Sequence, residues 1–388
     1  MEATGVIQLK GAAELHWRTV GKVTSSIPAQ RIIEASIEGI GISLQGHLSL
    51  EPTPGTGRWM LDSATLDLQP WFTPLTEALR LRDTIGDLEI SGELNAEGSG
   101  TVTHGNLGGR LRVSLSEGTM ASDARALRLS GITLAGVFGG PSPLRSIGFS
   151  SLSFLEGIFS GVTVHRGHVD FAITENHELL IRSAHVEVLG GSIEVREEKF
   201  PLEAVLLGDV GATVHLSNLN LAEIRALIPD VIAEARGRVS GEIRVGWKPG
   251  EGFRLGDGRF QMERPESVEI RLTPQPGFLT SHTPERLTLL PAWTGALQKW
   301  FSPRNPAHET LRQIEMGLMS LQVETLSAEM HPAGDALGRS ATVRISARPA
   351  VPSAVDRIDF EVNVSGPLDD VIKLGMNQKI SIRNGNAP

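Results

Sequence analysis

Few residues in this chain have the type and spacing to do chemistry. His165 and His168 are the closest pair among its eleven histidines, and neighbouring imidazoles are a common start for a metal site. On a regular strand, positions three apart face opposite sides, so the spacing predicts two solvated histidines near a turn. His47, His185 and His215 fall on the polar sides of strand patterns, where imidazole needs no special role. Asp369-Asp370 is a paired carboxylate, but it follows Gly366-Pro367. Acids at the start of a short helix account for the pair through the helix dipole. The Ser-rich GFSSLSF (148–154) has no G-x-S-x-G and no evident His/Asp pair to serve it. GTG (55–57) and GDGRF (256–260) lack the strand–GxGxxG–helix setting that cradles a phosphate. These readings predict no catalytic residue, no metal site and no cofactor.

The elements that would have to position such residues are overwhelmingly strands. In RIDFEVNVSGPLDD (357–370), Ile358, Phe360, Val362 and Val364 alternate with Asp359, Glu361, Asn363 and Ser365 until Gly366-Pro367 stops the run. Period two gives one oily face and one wet face. Residues 40–50 repeat it, with Ile40, Ile42, Leu44, Leu48 and Leu50 against Ser43, Gln45, His47 and Ser49. So do 64–69, 169–174, 184–188, 192–196, 212–217, 239–245, 268–273 and 341–347. Glycine clusters at 55–57, 98–100, 108–109, 139–140, 190–191 and 249–253 mark turns between them.

Helical signals are few. TPLTEALRLR (73–82) offers Thr73 as N-cap and Pro74 at the first helical position. Residues 220–235 begin with Asn220 and place Glu223 three later, a capping-box spacing, with Pro229 set to kink the helix. A third helical region spans 290–319. Trp71-Phe72 is expected to staple a helix to the sheet, and Trp293 and Trp300, seven apart, to share one helix face. ISGEL (90–94) leading to SEGTM (116–120) is echoed by VSGEI (239–243) leading to GDGRF (256–260). That echo favours a modular sheet over a closed barrel.

The chain has 388 residues, a net charge of −9 and no cysteine. The acidic balance argues against a nucleic-acid partner, and the missing thiols remove disulfides, thiol catalysis and iron–sulfur clusters. MEATGVIQLKG has neither a basic n-region nor an apolar h-region, and no stretch reaches the ~18 apolar residues of a spanning helix. An exported role is therefore expected to rely on a signal or anchor outside this sequence. The expected segments are 1–84, a β segment with a short helix; 85–210, a central β segment; and 211–388, a β segment with helices.

Residues 212–260 carry a Leu-rich strand end (Leu219, Leu221), a short helix, A-x-G-x-x-S-G (Ala235, Gly237, Ser240, Gly241) and a D-G-x-F strand (Asp257, Gly258, Phe260). With VEVLGGSIEV (186–195), LRQIEMGLMSLQVETLSAEM (311–330) and VNVSGPLDDVIK (362–373), this order resembles the C-terminal region of YdbH-type, AsmA-like proteins of the bacterial envelope. The resemblance covers roughly 85–375, and that region is often labelled a dicarboxylate transport domain. No clustered Arg/Lys pocket supports the label. The resemblance implies a mainly β protein: an elongated, curved antiparallel sheet, or β-groove, with two or three helical insertions. It also implies a bridge-like carrier of phospholipid acyl chains between inner and outer membranes across the periplasm. A small outer-membrane lipoprotein is the implied partner. Against the family pattern, the membrane anchor and much of the N-terminal length are expected to lie outside this sequence.

The apolar members of the clean alternations are the candidate lipid-binding residues. They are Ile40, Ile42, Leu44, Leu48 and Leu50; Val169, Phe171 and Ile173; Val268, Ile270 and Leu272; and Ile358, Phe360, Val362 and Val364. The same pattern would serve a closed β core that recruits partners by strand addition, and this is the competing expectation.

Overall fold

The structure is a computed structural model. It describes residues 2–8, 14–23, 31–51, 53, 55–78, 86–123, 126–140, 145–159, 161–207, 209–227, 232–248, 252–262, 268–281, 283–287, 302–332, 334 and 339–365. The chain is mainly β, in one antiparallel sheet with four short helices among the described residues. Its contacts group into two compact units. The first is Met1–Val188 with Glu194–Ala212 and Trp247–Gly252; the second is Leu189–Ile193, Thr213–Gly246 and Phe253–Pro388.

The first unit is a meander. Its strands are β1 (Glu2–Gln8), β2 (Glu14–Val23), β3 (Arg31–Gly39), β4 (Ile42–Leu50), β5 (Thr56–Asp67), β6 (Glu89–Thr103), β7 (Asn106–Ser122), β8 (Leu127–Gly139), β9 (Arg145–Ser146), β10 (Ser150–Phe159), β11 (Val162–Ile173) and β12 (Glu178–Val188). Each pairs antiparallel with the next, except that β8 takes both β9 and β10. His104-Gly105 (φ 50° and 85°) and Leu189-Gly190 (φ 49° and 67°) form tight turns with two left-handed residues, the geometry whose twist matches paired strands. The ladder shifts register between Ser91 and Glu93, between Leu115 and Gly118, and between His165 and His168. Such bulges bend a strand and tighten its twist locally.

β13 (Gly191–Pro201) and β14 (Val210–Asn220) contribute to both units. The second unit continues with β15 (Ile232–Arg236), β16 (Arg238–Lys248), β17 (Gly252–Met262), β18 (Val268–Leu272), β19 (Leu321–Met330), β20 (Arg339–Pro349) and β21 (Ile358–Ser365). β15 and β16 flank Gly237 (φ 114°), where an added Cβ would lie 2.6 Å from Val268 Cγ2. β15 pairs with β18, both β17 and β18 pair with β19, and β20 and β21 follow. Among the described residues β1 pairs only with β2 and β21 only with β20, so the sheet does not close into a barrel.

The helices differ from their sequence signals in instructive ways. α1 (Leu68–Ala78) starts five residues before Thr73, because Asp67 at the end of β5 accepts from the Gln69 N–H at 3.0 Å. Pro74 consequently lies inside the helix, and residues 79–85 lie outside the described residues. α2 (Leu202–Leu207) had no signal. α3 (Leu221–Leu227) is capped by Asn220, whose Oδ1 accepts from Ala222 at 3.0 Å. The reciprocal half of the capping box is missing, since the Asn220 N–H donates instead to Leu189 O at 2.8 Å. Residues 232–235, expected to be helical, belong to strand β15, and Pro229 lies outside the described residues. α4 (Pro306–Glu315) is capped by Asn305 and ends before Gly317 (φ 68°). Trp293 and Trp300 lie outside the described residues.

Candidate functional site

Register turns the alternation of single strands into a surface. In the first unit Ile42 sits opposite Leu66, Leu66 opposite Leu94, Leu94 opposite Leu115, and Leu115 opposite Leu134. The row continues through Leu152, Val169 and Ala184. It takes one apolar side chain from each of β4, β5, β6, β7, β8, β10, β11 and β12. Seven steps of about 4.8 Å between strands make it roughly 34 Å long. Beside it runs a shorter row of Trp17, Ile37, Leu44, Ala64, Ala96 and Val113.

Every member of the long row is half-buried. The fully buried hydrophobics of this unit among the described residues are Leu15, Trp71, Ile132 and Val188. The face is therefore sheltered without being sealed.

The opposite face is polar in the same register. Ser43, Thr65, Asn95 and Ser114 stand opposite one another in turn. Thr65 donates to Asn95 at 2.9 Å, Lys22 pairs with Glu34 at 2.7 Å, and Glu97 pairs with Arg112. Arg182 hydrogen-bonds Asp170 and holds its carboxyl below the usual carboxylate range. Arg166 does the same for Glu187. These exposed pairs keep the face charged and wet while adding little stability.

Aromatic rings shape the apolar side in a way the sequence signals did not reveal. The glycines at 98–100 and 108–109, expected as turns, lie inside β6 and β7. Trp59 on β5 lies across them: a Cβ on Gly100 would be 2.7 Å from its Nε1, and one on Gly98 3.2 Å from Cη2. The indole N–H donates to Gly108 O at 2.9 Å. Trp17 covers Gly5, and Phe154 covers Gly167, in the same manner. An aromatic on one strand shielding a glycine on the next is a known way to pin register. A glycine cluster with a Trp a fixed number of strands away was the available signal.

The candidate lipid-binding residues divide. Ile42, Leu44, Leu48, Leu50, Val169, Phe171 and Ile173 are half-buried on strands of the first unit. Ile40 is not on a strand; it occupies the turn with Gly41 and is 71% exposed. In the second unit Val268 (0% exposed), Ile270 and Ile358 belong to a protein core with Ile314, Leu321 and Val323, and Leu272 and Phe360 pack against it. α4 supplies the lid of that core through Ile314, so these strands face protein. The side chains of Val362 and Val364 lie outside the described residues, though their backbones pair with Val343 and Ala341.

One expectation about chemistry changes. The bulge at Arg166 (φ 47°) inserts a residue, so His165 and His168 stand opposite Glu187 and His185 and share the polar face. His168 Nε2 lies 3.2 Å from Asp170 Oδ1. Among the described residues no group of three or more His, Asp or Glu is placed to hold a metal ion, and no helix is long and apolar enough to cross a membrane.

No curated protein and no solved structure matches this chain. A family model described as YdbH-like, intermembrane phospholipid transport protein YdbH, matches residues 3–286. That match starts well upstream of the motifs at 85–375 and stops before their last part. The first unit, with one apolar row and one charged face, suits such a family, and a match over well more than half of the length decides the matter. The chain belongs to the YdbH-like family of intermembrane phospholipid transport proteins.

Proposed function

We propose that the first unit carries phospholipid by its acyl chains, along the apolar face whose long row runs from Ile42 to Ala184. The observation that carries this reading is the unbroken succession of half-buried apolar side chains, one per strand, in register. A phospholipid has two chains of about 15 methylenes, and at ~0.8 kcal/mol each their exposure costs on the order of 20 kcal/mol. Free diffusion between membranes is therefore negligible, and a sheltering surface must travel with the tails or span their route. A row of roughly 34 Å exceeds the ~15 Å that one leaflet's tails occupy in a hydrocarbon core ~30 Å thick. Tails can thus slide along it without leaving apolar contact, and the contacts are too uniform to trap a lipid at any one step. No catalytic group is needed.

The second unit supports a different role. Its core is closed by α4, in line with the sealed-core alternative, so it serves this reading as a folded module and not as lining. The envelope setting and a small lipoprotein partner belong to the same proposal, with the outer edge of β21, which pairs only with β20 among the described residues, as a place for strand addition. Lipid extraction from the purified chain followed by mass spectrometry tests the reading. Co-purified phospholipid that is lost in Leu115→Asp supports it; a chain that never carries phospholipid removes it.

A further inference from the structure

The shorter apolar row of the first unit changes character along its length. After Leu44 it takes Ala64, Ala96, Val113 and Gly136 from β5, β6, β7 and β8, and past β10 it is bulky again at Phe171 and Ile181. Two residues along each strand stand Leu66, Leu94, Leu115 and Leu134 of the long row. On the other side stand Leu61, Leu111 and Phe138, with Trp59 lying over Gly98 between them. Short side chains between two taller rows leave a furrow, and large residues stop it at both ends. Four steps of about 4.8 Å from β5 to β10 make it roughly 19 Å long. One tail of the ~15 Å that a leaflet's hydrocarbon occupies fits that length.

The last position of the furrow is Ser150, directly opposite Phe171. It belongs to GFSSLSF (148–154), whose Ser153 points to the polar face and shares a hydrogen bond of 2.8 Å with Thr133. Ser150 points the other way. It is 1% exposed, and its Oγ has no hydrogen-bond partner among the described residues. A Cβ on Gly136 would lie 2.5 Å from that oxygen and 3.0 Å from Phe138 Cε2, so the hydroxyl and the ring edge share the space that the glycine leaves. A buried hydroxyl without a partner is destabilising, and alanine would fill the same place without that cost. An acceptor from outside the chain removes it.

We infer that the furrow seats one acyl chain with its ester end at Ser150, whose hydroxyl donates to the ester carbonyl oxygen. The tail lies over Ala64, Ala96 and Val113. The half-buried Phe138 ring turns aside to uncover the hydroxyl, as side chains at a surface do within nanoseconds. Ser150 then gives the lipid-carrying face proposed above, on which this role rests, one station that reads the polar end of a tail. A single neutral hydrogen bond is weak enough for the lipid still to move on. An ether-linked chain lacks the carbonyl and so lacks the acceptor.

The test supplies a diester phosphatidylglycerol and its diether analogue with the same chains, mixed equally in vesicles, to the full chain and weighs the recovered lipids by mass spectrometry. The wild-type protein should retain the diester about fivefold over the diether. Ser150→Ala should bring the two to parity with diether recovery unchanged. In lipid-free protein the same substitution should raise the urea midpoint, because it removes an unpartnered buried hydroxyl. Equal retention of both lipids by the wild type, or a preference that survives in Ser150→Ala, overturns the role of Ser150 and leaves the lipid-carrying reading in place. A lowered urea midpoint also overturns it, since the hydroxyl then has a partner within the protein. Retention of neither lipid removes both readings.

Discussion

The Trp59 indole N–H reaches across an entire strand to the Gly108 carbonyl, 2.9 Å away, with Gly98 and Gly100 of the intervening β6 lying under its ring. Two features remote in sequence thus define one feature of the apolar face. Gly100→Ala places a Cβ 2.7 Å from Trp59 Nε1 and 2.6 Å from Gly109 Cα, so ring and backbone must both move. We expect a loss of about 1–3 kcal/mol, as for overpacked sites, and a red-shifted Trp emission. Trp59→Phe keeps the apolar cover and should lose only about 1 kcal/mol with the hydrogen bond. Urea denaturation distinguishes the two, and equal effects would mean the glycines are incidental.

Leu115 and Ser114 are neighbours on β7 that point to opposite faces. Leu115→Asp sets a charge in the middle of the apolar row, where desolvating it is costly. Phospholipid recovered with the protein should fall at least about tenfold, with the far-ultraviolet circular dichroism unchanged. Ser114→Asp joins an already charged surface and should leave recovery within about twofold. Similar losses in both variants would show that the face, as such, does not matter.

Ile270 is 3% exposed beneath α4. Ile270→Asp should therefore unfold the second unit, unlike Leu115→Asp in the first, because a carboxylate buried without a partner costs several kcal/mol. Limited proteolysis reads this directly, with rapid cleavage within the second unit. A stable Ile270→Asp protein would mean that α4 leaves the sheet readily and that these strands are accessible after all.

Glu315 is 3% exposed and accepts from the Leu279 and Thr280 N–H groups and from the Thr280 hydroxyl. Burial alone would raise its carboxyl, but the backbone donors and the hydroxyl outweigh it and hold the group below the usual glutamate range. A depressed carboxyl stabilises the fold at pH above its unfolded value, and that stabilisation disappears as pH falls through the folded one. Glu315→Gln should cost about 2 kcal/mol at neutral pH, with the gap to wild type closing on acidification below the glutamate range. A gap independent of pH would assign the effect to shape and not to charge.

Much of the architecture was legible in the residues. The alternations at 42–50, 169–173 and 341–347 lie on β4, β11 and β20, while Ile40 falls in the preceding turn, and Asn220 caps α3 as its type predicts. Trp71 staples α1 as expected, 1% exposed with its N–H on Ile40 O at 2.7 Å. The glycines at 98–100 and 108–109 carry a turn signal locally and lie inside strands because their partner, Trp59, comes from another strand. His165 and His168 share a face only because an inserted residue at Arg166 resets the alternation.

The chain's own order of apolar and polar residues determines that its strands are two-faced, since side chains alternate along any extended backbone whatever lies nearby. Tertiary structure alone decides which oily faces stay available. Pairing between strands aligns Leu94, Leu115 and Leu134 into one row, and the packing of Ile314 against Val268 and Leu321 closes another. Register and coverage both depend on contacts between residues far apart in the chain, whose partners no local pattern can specify.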